Sequence, residues 1–439
     1  RLSRRKMLLG GGALALLGPG LMAAQAEAQP RHKVAVKKAP PPPPPPLTLV
    51  GATLHRAGLP PLAASVVRIE AGSIASVGTD KAAAKGSLVV DVRGKQISAG
   101  LVDLLTNVGA VEVSLEAATR DDRQHHSERR DADPIRAAFR TADGYNPASS
   151  LIAVSRMQGL TSVGVVPTDG LITGVSAWAD LAGNTQQQAL VLRAMALHIN
   201  LNDPWHRGFE GNRASAWLAL RETFDDAASY RKNKAGYERR QVRRLGASRL
   251  DLETLVLALE GRLPVVFHVD RASDIERALR LAKQLQLKAV LASAAEGWKM
   301  AKHIAAAKVP AIVYPLDDGP RSFSALGARE DNAARLHRAG VTVALSTGDT
   351  HNARKLRQVA GNAVRAGLPH AAALTAITET PARLFGLQQY GAVKAGRVAN
   401  MVVWSGDPFE LSTRVERLLI RGRVVMLRSR QTRLFERYR

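Results

Sequence analysis

The chain has 439 residues, with 62 Lys and Arg against 38 Asp and Glu, a formal net charge of +24, 11 His and no Cys. The missing cysteine excludes disulfide scaffolds, thiol nucleophiles, thiolate zinc sites and iron–sulfur clusters. With 46% hydrophobic and 23% charged residues the composition is globular, and the basic excess raises nucleic acid and anionic membrane surfaces as partners to be tested against where the charges sit.

The chain opens on Ser3-Arg4-Arg5-Lys6-Met7, followed by a short Gly/Ala/Leu-rich apolar run that ends near Ala26-Glu27-Ala28. Basic, apolar, then small residues is the order of an export signal, and the arginine pair fits the twin-arginine variety. The run is too short and too rich in glycine for a transmembrane anchor. Residues 1–28 therefore predict a signal peptide and a periplasmic protein. Residues 29–46 predict a basic linker closing on seven consecutive prolines, an extended polyproline spacer. Lys and Arg up to Lys38 number eight against the single acid Glu27, so this stretch carries seven of the +24 charges and the body the other 17.

From Leu47 come short β-runs between turn residues, such as Ser65-Val66-Val67-Arg68-Ile69 and Leu88-Val89-Val90-Asp91-Val92. After Gly100 the rhythm becomes apolar strand, loop, helix: Thr161-Ser162-Val163-Gly164-Val165-Val166, Val265-Val266-Phe267-His268, Val290-Leu291-Ala292, Ala311-Ile312-Val313 and Val343-Ala344-Leu345. Ile275, Ala278, Leu279, Ala282 and Leu285 are spaced for one buried helix face. Strands alternating with helices argue a parallel α/β fold, a barrel over residues 100–386. The β-rhythm returns past Leu387, so residues 47–99 and 387–427 predict a small composite β-sandwich domain, with a basic tail over 428–439. The basic residues gather in Arg231, Lys232, Lys234, Arg239, Arg240, Arg243 and Arg244 and in an arginine-rich C-terminus from Arg421 to Arg439. Aromatics are 4% overall and no nucleic-acid motif is visible, so these read as a solvated face touching at most an anionic envelope surface.

In such a barrel, reactive side chains belong at the C-terminal ends of strands. Four polar residues follow apolar runs: His198, His268, Glu296 and Asp349, the last with His351 and Asn352 immediately after it. Imidazole and carboxylate are donors that a zinc or similar ion prefers, and such an ion can generate hydroxide near neutral pH. His268 alone reads equally as a hydrogen-bonded structural residue, and Glu296 as a cap on its helix. His125 and His126 sit in a charged stretch that reads as a solvent-facing loop.

The segments Val89-Val90-Asp91-Val92-Arg93-Gly94-Lys95, Gly100-Leu101-Val102-Asp103, Phe267-His268-Val269-Asp270, Ala295-Glu296-Gly297-Trp298, Leu345-Ser346-Thr347-Gly348-Asp349 and Gly391-Ala392-Val393-Lys394-Ala395-Gly396-Arg397 resemble, in that order, the amidohydrolase superfamily, in its imidazolonepropionase-like branch. The resemblance implies a (β/α)8 TIM-type barrel with its flanking β-domain, and hydrolysis of C–N bonds other than peptide bonds at one or two metal ions. It maps the fifth-strand histidine to His268 and the eighth-strand aspartate, the general base, to Asp349. The first-strand histidine pair falls on Leu105 and Asn107, the sixth-strand histidine near Ser293, and the fourth-strand lysine at about His198. The implied centre is thus degenerate: one divalent metal such as zinc on His268, Asp349 and His198, or none. Glu296, Asn107 and His351 are then candidates for substrate binding, and the loop around Trp205, His206 and Arg207 could choose the substrate.

Three readings follow. One is a divergent exported hydrolase of amide or cyclic-amide bonds in a small molecule. The second is a pseudoenzyme that binds a small molecule or envelope partner without turnover, and the third a cationic envelope-binding protein. None of them requires a specific nucleic acid, and the oligomeric state stays open.

Overall fold

The computed structural model describes residues 43–439 except 57, 81–85, 124–132 and 203–211. The signal peptide, almost all of the linker, His125 and His126, and the Trp205–His206–Arg207 loop lie outside the described residues.

Five strands precede the barrel: β1 (Leu47–Arg56), β2 (Leu59–Glu70), β3 (Ser73–Gly78), β4 (Leu88–Asp91) and β5 (Gln96–Ala99). Eight then build the barrel wall: β6 (Leu101–Thr106), β7 (Leu160–Val165), β8 (Ile172–Asp180), β9 (Leu190–Asn200), β10 (Val265–Val269), β11 (Ala289–Ser293), β12 (Ala311–Val313) and β13 (Val343–Leu345). After the barrel come β14 (Met401–Trp404), β15 (Val415–Ile420) and β16 (Arg423–Val425).

The strands from either side of the barrel share a separate sheet, as expected, in the order β16-β15-β14-β5-β1-β2-β3 with β4 on β1. It is a single hydrogen-bonded sheet rather than two. The first half of β1 pairs with β4 and its second half with β5, so the sheet folds over its own core of Leu49, Leu54, Ile69, Ile97, Met401 and Leu419.

The barrel wall runs in chain order from β6 to β13, and helices such as Ala272–Gln284 cover it with Ile275, Ala278 and Ala282 buried. Seven strands are parallel to their like, but β8 is antiparallel to both β7 and β9. The cause is length: only residues 166–171 join β7 to β8, too few for a crossover helix, so the chain must turn back. The same alternation that covers the outer face fills the interior with Val102, Trp178, Ala196, Val266, Ala292, Ile312 and Ala344.

Gly164 on β7 faces the backbone of β6 so closely that a Cβ there would collide with the Leu104 carbonyl. Since backbone cannot swing aside, Gly164→Ala is expected to lower stability by about 1–3 kcal/mol, read as a fall in the urea midpoint with an unchanged slope.

Backbone pairing stops between β13 and β6, and side chains complete the wall. The Asp103 carboxylate on β6 accepts from Ser346 Oγ, from Thr347 Oγ1 at 2.5 Å and from Thr347 N at 3.2 Å, while Leu105 N donates to Ser346 Oγ at 3.3 Å. Asp103 is fully buried, and that burial pushes its pKa up to about 6 against the downward pull of the bonds from Ser346, Thr347 and Leu105.

Candidate functional site

His198 and His268 stand inside the barrel on neighbouring strands, each two residues beyond an inward apolar residue, Ala196 and Val266. His198 is fully buried, whereas His268, nearer the C-terminal rim, keeps partial exposure. Their rings meet: His198 Nδ1 lies 2.9 Å from His268 Nε2, and His198 Nε2 lies 2.8 Å from Ser176 Oγ on β8. The antiparallel strand therefore supplies the third member, which the sequence reading did not identify.

The proton positions in this chain follow from its far end. Ser176 Oγ donates its one proton to the Ala196 carbonyl at 3.2 Å, and a carbonyl can only accept. His198 Nε2 must then donate to Ser176 Oγ, which leaves His198 Nδ1 as an acceptor for an N–H on His268 Nε2. His268 is thereby held as the Nε2–H tautomer with a lone pair on Nδ1. Both rings stay neutral near pH 7: burial pushes His268 down to about 4, and burial followed by the neighbouring His268 holds His198 well below its ordinary value.

Asp349 does not join them. Its Oδ1 accepts from Asn352 N at 3.1 Å and its Oδ2 from Asn352 Nδ2 at 2.8 Å, on the 3₁₀ turn beyond β13. Burial opposes ionisation here, but the bonds from Asn352 together with the His351 backbone N–H and the His351 ring outweigh it and hold the carboxyl below its usual value. Among the described residues no group of three or more His, Asp or Glu side chains is arranged to hold a metal ion, so the expected set of His198, His268 and Asp349 is not assembled. The donor chemistry explains the misfit. His268 Nε2 is committed to His198, and Leu105, onto which the resemblance maps a first-strand ligand, packs into the interior apolar cluster. Asn107 donates to the Val166 carbonyl at 2.6 Å and accepts from Thr350 Oγ1 at 3.2 Å. The residues present do not fit a zinc centre of the family type.

The other two candidates also have protein partners. Glu296 accepts from Ala272 N at 3.0 Å, Gly327 N at 2.9 Å and Lys299 Nζ at 2.7 Å, tying two loops to the start of the helix Ala272–Gln284. His351 Nε2 lies 2.9 Å from Ser114 Oγ at an exposed position. A further cluster at the strand ends went unread in the sequence. Asp270, after β10, accepts from Ser293 Oγ and from Ala295 N at 3.1 Å, while Arg321 Nη2 bonds Ser293 Oγ at 2.9 Å. Ser293 and Ala294 both have left-handed backbones (φ 69° and 49°), which Asp270 holds in place. Ser293 is therefore a clamp for the β11 end. Arg321 lies over the Tyr314 ring, 5.9 Å from its centroid, and burial pushes the Tyr314 hydroxyl upward, so it stays a donor.

Residues 251–425 match the amidohydrolase family. An amidohydrolase of Hapsidospora irregularis, tasK, is 22% identical over 385 residues, 78% of this chain and 38% of that protein, so the chain spans well under half the length of this curated relative. An amidohydrolase from Thermotoga maritima MSB8 superposes with a TM-score of 0.78 at 24% identity, over 87% of this chain and 100% of that one. An adenosine deaminase from Xanthomonas campestris with bound zinc superposes at 0.51 with 17% identity, over 88% and 93% of the two chains. These likenesses establish the barrel fold.

Proposed function

We propose that this chain is a hydrolase of the amidohydrolase kind that cleaves a C–N bond in a small amide or cyclic amide, with His268 Nδ1 as its general base. The observation that carries the reading is the fixed tautomer of the His268–His198–Ser176 chain at the barrel rim. The family match over residues 251–425 supports the reaction class. Nδ1 takes a proton from water as the oxygen adds to the substrate carbonyl, and returns it to the departing nitrogen as the C–N bond breaks.

The pH profile tests this base. Since His268 works neutral and its pKa lies at about 4, kcat/KM should be flat near neutrality and fall only as pH drops through about 4. An ordinary imidazole would fail near 6.5. Dialysis against a chelator should leave the rate unchanged, because no step passes through a metal. A chelator-sensitive rate restored by zinc would overturn the assignment.

A second reading is favoured by Leu105, an apolar side chain where family members keep a ligand: a barrel that binds its small molecule without turnover. A panel of N-acyl amino acids, dipeptides and cyclic amides separates the two. Thermal stabilisation by a panel member with no hydrolysis above the His268→Ala background would favour this second reading. The start of the chain supports export by the twin-arginine route, which replacing Arg4 and Arg5 with Lys should block in a fractionation experiment.

A further inference from the structure

The helix Arg430–Tyr438 has no buried residue, yet it is carefully started: Ser429, itself buried, forms a capping box with Thr432. A nine-residue helix standing in water is marginal on its own. Its large apolar side chains are turned outward, with Leu434 42%, Phe435 63% and Tyr438 77% exposed, and Met426 just before it 75% exposed. At 3.6 residues per turn, Leu434, Phe435 and Tyr438 fall within an arc of about 100°, with Gln431 the one polar side chain inside it. Arg430 and Arg437 flank one border of that arc and Arg439 the other. The single acid of the helix, Glu436, lies on the opposite face, 3.4 Å from Arg428.

We propose that this helix is an interfacial anchor that lays its Leu434–Phe435–Tyr438 face on an anionic lipid bilayer. Arginines at both borders of an apolar arc suit a bilayer surface. The ring and aliphatic groups enter the acyl boundary, and the guanidiniums meet phosphates in the headgroup layer. A second copy of this chain fits worse, because it would bring the same five arginines, Arg428, Arg430, Arg433, Arg437 and Arg439, against one another. The helix lies on the surface rather than spanning it: among the described residues no helix is long and apolar enough to cross a membrane.

Sedimentation of the full chain with vesicles of phosphatidylcholine containing about 30% phosphatidylglycerol, at physiological salt, tests the anchor. The expected result is co-sedimentation with these vesicles and not with phosphatidylcholine alone. Leu434→Ser combined with Phe435→Ser should weaken binding about tenfold or more while leaving the melting temperature nearly unchanged, because neither side chain is buried. Arg430→Gln with Arg437→Gln should weaken it as well. Unchanged binding by the Leu434/Phe435 variant would overturn the proposal and move the attachment to basic residues elsewhere, such as Arg239 to Arg244. Absence of vesicle binding, together with a dimer that the same variant converts to monomer, would overturn it in favour of a second copy.

Discussion

Replacing His268 with Ala is expected to reduce kcat/KM by about 100- to 10,000-fold, the range that a positioned general base supplies. The substitution removes Nδ1 and also leaves His198 Nδ1 without its donor, a buried loss of about 1–3 kcal/mol. The protein should therefore remain folded with a modestly lower melting temperature, so that activity and stability part company. His198→Ala separates the base from the group that sets its tautomer. It leaves His268 in place but frees Nε2, so the lone pair is no longer fixed on Nδ1, and it opens space that admits water around a ring now held at about 4 by burial. The loss should be smaller, about tenfold, and the acidic limb of the pH–rate profile should move up from about 4 toward the free-imidazole value near 6.5. A His198→Ala enzyme with the unshifted profile would show that the ring pair plays no part in setting the base. Full activity in His268→Ala would remove His268 from the reaction.

Much of the fold could be read from the sequence because strand-loop-helix periodicity is a local property. The runs ending in His268, Ala292, Val313 and Leu345 are strands β10 to β13, and the helix carrying Ile275, Ala278 and Ala282 buries that face. The reversed strand could not be read the same way. Every residue of β8 is buried, so no alternation marks which face is inside, and its direction depends on the length of the preceding connection. The site divides similarly. His198 and His268 were visible as polar residues closing apolar strands, but their partnership depends on register: His198 lies level with Val266, so its Nδ1 reaches across to the ring one layer nearer the rim. Asp349 was visible for the same reason and failed for a local one, since Asn352, three residues on, captures its carboxylate. Asp103 carried a signal of its own, a lone carboxylate inside the apolar run Leu101-Val102-Asp103-Leu104-Leu105, which burial makes costly unless it is bonded.

That carboxylate underlies the second large effect. Asp103→Ala is expected to cost about 3–5 kcal/mol, because Thr347 N and the buried Ser346 hydroxyl lose their acceptor in a seam where no backbone pairing joins β6 to β13. Its titration gives a sharper test. The folded-state pKa of about 6 lies above the ordinary 3.8, so between these values the native state holds a proton that the unfolded chain has released. The stability from this proton is complete below about pH 4 and is lost as pH rises through about 6, a difference of about 3 kcal/mol for two units. The two histidines act in the opposite sense over nearly the same range, since their lowered values favour the native state as pH rises. The wild-type curve is therefore the sum of opposed slopes, and only a difference isolates Asp103. Urea midpoints of wild type and Asp103→Asn, measured from pH 4 to pH 7, should diverge as pH rises toward about 6 and run parallel above it, the wild type losing ground between those values. Curves parallel throughout would show that Asp103 titrates alike in the folded and unfolded chains, and the seam would then be held by a carboxylate already charged at pH 4.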